Sequence, residues 1–120
     1  MYNTLTMSKQ KSPPPFQELI DFIVKFRNER DWEQYHKPKD VAISLSLEAS
    51  ELLEHFQWKT EAEVKKHIKN HKNEIADEMI DVLSWVLLLS HDLKIDLVVA
   101  FYRKKHKDAQ KYPVEKVKGK

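Results

Sequence analysis

The chain has 120 residues, the size of one domain, and its hydrophobic content of 41% is enough to build a core. It contains one Gly and no Cys, which favours a mostly helical fold and excludes disulfides, thiolate metal sites and a Cys nucleophile. No apolar run reaches the ~18 residues of a membrane span, and residues 1–15 lack the apolar centre of a signal peptide. We therefore expect a soluble, cytoplasmic protein with no membrane partner.

Charge is distributed unevenly along the chain, whose net charge is +2. Residues 103–120 carry eight Lys or Arg against two Asp or Glu, a net of +6, and residues 1–102 carry 13 against 17, a net of −4. An acidic body with a basic tail suits a protein that handles a metal and a polyphosphate, although a solvated tail gives the same pattern. A nucleic-acid binder acting through the tail would bind in a salt-sensitive way, but no stable nucleic-acid partner is expected.

The first half of the chain predicts an arm and two helices. Residues 1–15 are polar and end in three prolines, which predicts a disordered N-terminal arm. Residues 16–30 have apolar side chains at helical spacing, and residues 31–39 connect this helix to the next. Asp40 is the predicted N-cap of a second helix that runs to about Trp58.

The second half predicts a short helix and two long ones. Thr60 begins the short helix with the pattern of a capping box, and residues 67–73 form a polar turn or frayed end. The third long helix covers about residues 73–93, and a fourth covers residues 97–111, between an Asp96 cap and Pro113. The predicted folded domain is therefore residues 16–112, followed by a basic tail at residues 113–120.

Four long helices with short connections predict an all-α four-helix bundle. The third helix is unusual because Ser84 is the only polar residue between Val82 and Leu89. A helix that is apolar on every side has to be covered on every side. We therefore expect a homo-oligomer, either a dimer or a tetramer. Its predicted interface consists of Leu83, Val86, Leu87 and Leu89.

Two acidic pairs are the strongest candidates for chemistry. Glu48 and Glu51 share one face of the second helix, and Glu78 and Asp81 share one face of the third. A single such pair is usually a solvated face, but here both lie among apolar residues. Four carboxylates brought together repel one another unless a cation lies between them, and oxygen ligands favour Mg²⁺. None of the four has a His three residues later, which disfavours a di-iron site.

Other polar and aromatic residues give weaker signals. His67 and His71 have the i, i+4 spacing of a helical zinc pair, but a third ligand is not evident and a polar turn is the simpler interpretation. Trp58 and Trp85 extend the two acidic stripes, and Trp32 lies in the connection between the first two helices. Indole rings at these positions would stack on a nucleotide base or simply fill the core.

The spacing of the acidic pairs resembles the signature of the MazG-like family of all-α nucleotide pyrophosphohydrolases. Twenty-six residues separate the Glu48–Glu51 pair from the Glu78–Asp81 pair. Three further segments look like the dCTP pyrophosphatase branch of that family, and together the resemblance covers about residues 16–118. These segments are residues 30–38 (RDWEQYHKP), residues 51–59 (ELLEHFQWK) and residues 111–116 (KYPVEK).

The resemblance implies a fold, an activity and a site. It implies an all-α dimer or dimer of dimers that hydrolyses a nucleoside triphosphate, with dCTP as a candidate, to the monophosphate and pyrophosphate. It implies that Mg²⁺ is bound by the four carboxylates, one of which acts as general base. It also implies nucleotide contacts from the segment Trp32 to His36 and from Trp58. Three positions depart from the branch: Ile23 stands at a His position, Trp85 at a Tyr position and Asp108 at a position that is often Asn.

Both lines of reasoning lead to one assignment of roles. Trp32, Trp58 and Trp85 would hold the base, and Lys105 and Lys111 would neutralise the phosphate tail. The alternative from another class is a non-catalytic helical module that oligomerises or binds a partner through its apolar third helix. That alternative predicts no dependence on Mg²⁺ and no effect of replacing Glu78 by Gln.

Overall fold

A computed structural model describes residues 14–120 of the chain, and this part consists of helices and their connections. The predicted all-α class is confirmed. The predicted arm lies outside the described residues as far as position 13, and the first helix already includes the last two prolines. In chain order the elements are α1 Pro14–Glu29, a 3-10 turn Trp32–Tyr35, α2 Pro38–Glu54, α3 Glu61–Asn70, α4 Lys72–Asp92, α5 Leu97–Lys111 and α6 Val114–Val117.

The packed centre of the fold consists of α1, α2 and α4. The contact between α2 and α4 is the most extensive, and the contact between α1 and α4 is the next. The buried apolar side chains are Ile20 on α1, Val41 on α2, and Leu87 and Leu88 on α4. Because α2 and α4 pack along their lengths, the seam between them brings the two acidic stripes of the sequence together.

The two ends of α2 differ from the prediction. Pro38 lies in the first turn and Lys37 is the N-cap, so the assignment of Asp40 as N-cap is wrong. Asp40 instead lies in the first turn, where its charge favours the helix dipole. The helix ends at Glu54, so the predicted extension to Trp58 is also wrong. Trp58 has a φ of 63°, a left-handed conformation that cannot continue an α-helix.

The capping box at Thr60 is confirmed. The Glu63 backbone N–H donates to Thr60 Oγ1 at 3.2 Å, and the Thr60 backbone N–H donates to Glu63 Oε1 at 2.9 Å. The predicted turn at residues 67–73 is wrong, because α3 continues to Asn70 and only His71 separates it from α4. The short connection holds α3 against α4.

The apolar stretch of α4 is largely covered within one protomer. From Val82 to Ser90 every residue is buried or half-buried, and Leu87 is among the most buried residues of the chain. Leu87 is buried, but Leu83, Val86 and Leu89 are only half-buried, so their predicted place in a subunit interface stays a prediction. The large exposed apolar residues of α4 are instead Met79 and Ile80, which are 55% and 56% exposed.

The Asp96 cap of α5 is confirmed, since its Oδ1 accepts from the backbone N–H groups of Val98 and Val99, each at 3.1 Å. The helix makes only marginal contact with the rest of the bundle, and Val99, Phe101 and Tyr102 are more than half exposed. Among residues 14–120, no helix is long and apolar enough to span a membrane. The cytoplasmic location stays a prediction.

Candidate active site

Three carboxylates meet where α2 packs against α4. One carboxylate oxygen from each of Glu48, Glu78 and Asp81 lies within 4.8 Å of the others. Glu48 and Glu78 are half-buried and Asp81 is exposed. We call these three residues the acidic cluster. It unites members of both acidic pairs of the sequence, although Glu78 and Asp81 are about 30 positions beyond Glu48 along the chain.

Two oxygen atoms of the acidic cluster lack protein partners. Oε2 of Glu48 and Oε2 of Glu78 are shielded from solvent and accept no hydrogen bond from the protein. A shielded carboxylate oxygen without a donor is costly, because its hydration is lost and nothing replaces it. A bound cation would remove that cost.

The pKa values of the acidic cluster also show that its negative charges are destabilised. Desolvation by burial, followed by the effects of the nearby Glu51 and Asp81, raises the pKa of Glu48 to about 7. Desolvation and the charge of Glu51 also raise the pKa of Glu78 above its ordinary value. Without a cation, the cluster therefore favours protonated carboxyls more strongly than isolated carboxylates do.

Glu51 borders the acidic cluster without joining its compact set. It is exposed, and it lies close enough to raise the pKa of both Glu48 and Glu78. The all-oxygen donor set and the two unpartnered oxygens fit a hard divalent ion such as Mg²⁺, which takes carboxylate ligands and keeps several waters. Glu48, Glu78 and Asp81 are the residues that could hold it, with Glu51 beside them.

A cleft of about 340 Å³ adjoins the acidic cluster and shares two of its residues, Glu48 and Asp81. Two larger clefts, of about 560 and 500 Å³, are lined by surface residues around the 3-10 turn and by α5, and neither contains a member of the cluster. The smaller cleft is therefore the candidate substrate site. Its rings are contributed by Phe26, Trp32, His36 and Trp85.

The aromatic rings of the cleft are packed edge to face. The centroids of His36 and Trp85 are 5.1 Å apart at 73°, and those of Phe26 and Trp32 are 6.0 Å apart at 66°. Asp31, with a left-handed φ of 54°, begins the turn that places Trp32 beside α1. The cleft thus combines an aromatic wall with a strongly acidic one.

The surroundings of His36 favour its neutral form. Desolvation by burial, and then the charge of Arg27, hold its pKa below the ordinary value of histidine. Its Nδ1 atom is shielded and has no hydrogen-bond partner in the protein. A neutral imidazole can offer either a donor or an acceptor at this atom, so His36 has an unused hydrogen-bonding group in the cleft.

Arg27 lines the cleft and is missing from the sequence-based candidates. Its side chain is 2% exposed and donates two hydrogen bonds to Asp92, from Nη1 to Oδ2 at 2.8 Å and from Nη2 to Oδ1 at 2.9 Å. The pair joins α1 to the end of α4. The available signal was a basic residue on the buried face of α1, four positions after Ile23 and seven after Ile20.

A sequence profile of the MazG-like family matches residues 43–120, which include the whole acidic cluster and Glu51. The chain belongs to the MazG-like family.

Curated proteins similar to this MazG-like chain include dCTP pyrophosphatase 1 of Rattus norvegicus. That protein is 34% identical over 108 residues, which are 88% of this chain and 64% of the relative. Human dCTP pyrophosphatase 1 is 32% identical over 102 residues, 83% of this chain and 60% of the relative. The chain therefore spans a little less than two thirds of the length of these relatives.

A solved structure also resembles the fold. A pyrophosphatase from Archaeoglobus fulgidus superposes with a TM-score of 0.79 at 38% sequence identity. The match covers 84% of this chain and 94% of that one, so the two proteins share most of their helical arrangement.

Three predicted binding residues of the MazG-like chain lie outside the cleft. Trp58 follows the end of α2 and is 91% exposed. Lys105 lies on α5 within 3.5 Å of Asp108, and Lys111 lies at the end of the same helix, beside the ring of Tyr112. Since none of the three lines the cleft, their roles in binding stay predictions.

Proposed function

We propose that this protein is a Mg²⁺-dependent nucleoside triphosphate pyrophosphohydrolase, which hydrolyses its substrate to a nucleoside monophosphate and pyrophosphate. The observation that carries the proposal is the cleft that shares Glu48 and Asp81 with the acidic cluster. A nucleotide has the matching two-part chemistry, a flat base and a polyanionic tail. The tail can approach carboxylates only through a cation, and the names of the similar proteins agree with this substrate class.

In this proposal three of the four carboxylates bind the metal ion and the fourth is the general base. Glu48, Glu78 and Asp81 would hold Mg²⁺, and the bound ion would supply positive charge that stabilises the phosphate oxygens in the transition state. Glu51 is exposed beside this set, and we assign it the role of accepting the proton of the attacking water. Replacing Glu51 by Gln should then lower kcat and leave Mg²⁺ affinity near that of the wild type.

The aromatic wall holds the base. Trp32 and Trp85 offer faces for stacking, and the unpartnered Nδ1 of His36 offers a hydrogen bond to a base edge. Ile23 lines the same cleft, so the position at which the resembling branch has His is apolar in this chain. Because the similar curated proteins are named for dCTP, this nucleotide is the first to be tested.

We infer that the protein is a homodimer or homotetramer. Val99, Phe101 and Tyr102 on α5 are exposed in the single chain, as is Trp58. A second copy that packs against α5 would cover the three side chains of that helix. Lys105 and Lys111 lie on this same helix and do not line the cleft of their own protomer, so a second copy is one way to bring them to a phosphate tail. Light scattering that gives the mass of a single chain at micromolar concentration would contradict this.

The decisive test of the proposal is a panel of dNTPs and NTPs assayed with Mg²⁺ and with EDTA. We expect Mg²⁺-dependent turnover of at least one nucleotide, and its loss in Glu78→Gln. The matched control is Glu54→Gln, since Glu54 is an exposed residue of α2 outside the acidic cluster. No turnover of any nucleotide would refute the proposal and favour the non-catalytic helical module.

A further inference from the structure

Three histidines and one glutamate form a continuous chain of contacts outside the candidate active site. His55 Nδ1 lies 2.8 Å from His67 Nε2, and His71 Nδ1 lies 3.1 Å from Glu74 Oε2. The rings of His67 and His71 are stacked, with centroids 4.4 Å apart and planes at 22°. The candidate active site uses none of these four side chains.

The ends of three helices bring these residues together. His55 follows the last residue of α2, His67 lies in the last turn of α3, and Glu74 lies in the first turn of α4. His71 is the single residue that joins α3 to α4. In the sequence, His67 and His71 form an isolated i, i+4 pair. The fold places two further candidate ligands, His55 and Glu74, beside this pair.

We propose that His55, His67, His71 and Glu74 form a binding site for a transition-metal ion of the Zn²⁺ class, distinct from the acidic cluster. Imidazole nitrogen is a preferred ligand of Zn²⁺, Cu²⁺ and Ni²⁺, whereas Mg²⁺ prefers oxygen. Three imidazoles and one carboxylate match the number and kind of ligands in a four-coordinate zinc site. The two sites would therefore select different ions.

The four side chains do not yet converge on one point, because among the described residues no three of them bring one ligand atom each within 4.8 Å of one another, so an ion would have to draw them together. Zinc–nitrogen bonds of about 2.0–2.1 Å in a tetrahedron place two ligand nitrogens roughly 3.3 Å apart. The hydrogen bond of 2.8 Å between His55 and His67 must therefore open by about half an ångström, and the ring of His71 must turn out of its stack. His71 is free to do so, because its side chain is 42% exposed.

The protonation state of His67 supports metal binding. Desolvation by burial, followed by the nearby His71 and Lys59, holds its pKa below the ordinary value of histidine. The lowered pKa favours the neutral imidazole that metal coordination requires. Lys59 and Lys66 line the same small cleft and oppose a cation, so coordinate bonds rather than the local field have to hold the ion.

A bound ion would cross-link the ends of α2, α3 and α4. His55 lies one turn beyond Glu51, and Glu74 lies one turn before Glu78, so the histidine site and the acidic cluster are neighbours along the same seam. Binding to the folded state alone stabilises it by mass action. We therefore expect Zn²⁺ to raise the melting temperature, even when Mg²⁺ already saturates the acidic cluster.

The test is titration of the untagged full chain with Zn²⁺ by calorimetry in excess Mg²⁺, with Co²⁺ as a spectroscopic probe of nitrogen coordination. We expect one Zn²⁺ per chain and visible Co²⁺ bands typical of a four-coordinate site. His67→Ala should weaken Zn²⁺ binding about tenfold or more. His71→Ala, at a more exposed position, should do the same, and this second variant guards against misfolding of the first.

Two control variants make the result specific. His106→Ala removes an exposed histidine of α5 that does not belong to the proposed histidine site, and this variant should bind Zn²⁺ like the wild type. Glu78→Gln should lose Mg²⁺-dependent activity and retain the histidine site, which separates this inference from the proposed catalytic function. The proposal is overturned if the wild type binds no Zn²⁺, if both histidine variants bind it unchanged, or if Glu78→Gln abolishes binding.

Discussion

Glu48 gives the sharpest link between the geometry of the acidic cluster and a measurable stability. Burial and neighbouring carboxylates raise its pKa to about 7 from an ordinary value of 4.5. Because the folded state favours the protonated form, its contribution to stability is fully present below about pH 4.5. That contribution is lost as the pH rises through 7. Replacing Glu48 by Gln keeps the shape, removes the charge and so should remove this loss in the metal-free protein.

The expected magnitude follows from the shift. A difference of 7 − 4.5 = 2.5 pKa units corresponds to at most about 3.4 kcal/mol at 1.36 kcal/mol per unit. Solvent reaches the half-buried side chain and screens its interactions, so about 1–2 kcal/mol is the realistic gain at pH 8. For a chain of this length that is a rise in melting temperature of about 4–8 °C.

The assay is thermal unfolding followed by circular dichroism in EDTA at pH 5 and pH 8. Glu48→Gln should melt above the wild type at pH 8 and near it at pH 5. The control Glu54→Gln, at an exposed position of the same helix, should follow the wild type at both. If Glu48→Gln melts at or below the wild type at pH 8, the side chain is not strained by its neighbours and the argument for a cation there fails.

Three further predictions concern the rest of the site. In steady-state assays, Glu78→Gln should lose about a hundredfold or more in activity, on the scale of one well-placed transition-state contact; an unchanged rate in saturating Mg²⁺ would exclude the acidic cluster. Trp85→Ala should weaken nucleotide binding roughly 5- to 150-fold if the indole stacks on the base, and an unchanged affinity in fluorescence titrations would mean that the ring only fills the fold. Asp92→Asn should cost about 2–3 kcal/mol in denaturant unfolding, because it leaves the buried Arg27 without its counter-ion; a cost near zero would show that solvent compensates the charge.

Local patterns in the sequence were enough to predict most helices. The Thr60 capping box and the Asp96 cap are side-chain-to-backbone contacts within three residues, so they can be identified from neighbouring residues alone. The end of α2 could not be identified in this way. The pattern of apolar and acidic residues continues to Trp58, but the chain leaves the helix after Glu54 through a left-handed residue.

The acidic cluster was predictable because its members come from two local i, i+3 pairs, each on one helix, and these two helices pack against each other. The contacts that complete the cleft were not. Arg27 and Asp92 are 65 positions apart, and the ring contact between His36 and Trp85 joins a turn to a distant helix. No periodicity encodes such pairings, because they depend on how α1 and the 3-10 turn pack against α4. The contact between His55 and His67, which are 12 positions apart, was missed for the same reason.

The central claim is that the acidic cluster directs hydrolysis of the bond between the α- and β-phosphates. Phosphorus-31 NMR of a nucleoside triphosphate incubated with the protein and Mg²⁺ tests this claim most directly, with Glu78→Gln as the inactive reference. We expect resonances of the nucleoside monophosphate and pyrophosphate to grow together in equal amounts with the wild type alone. Growth of nucleoside diphosphate and orthophosphate, or equal turnover by Glu78→Gln, would contradict the account.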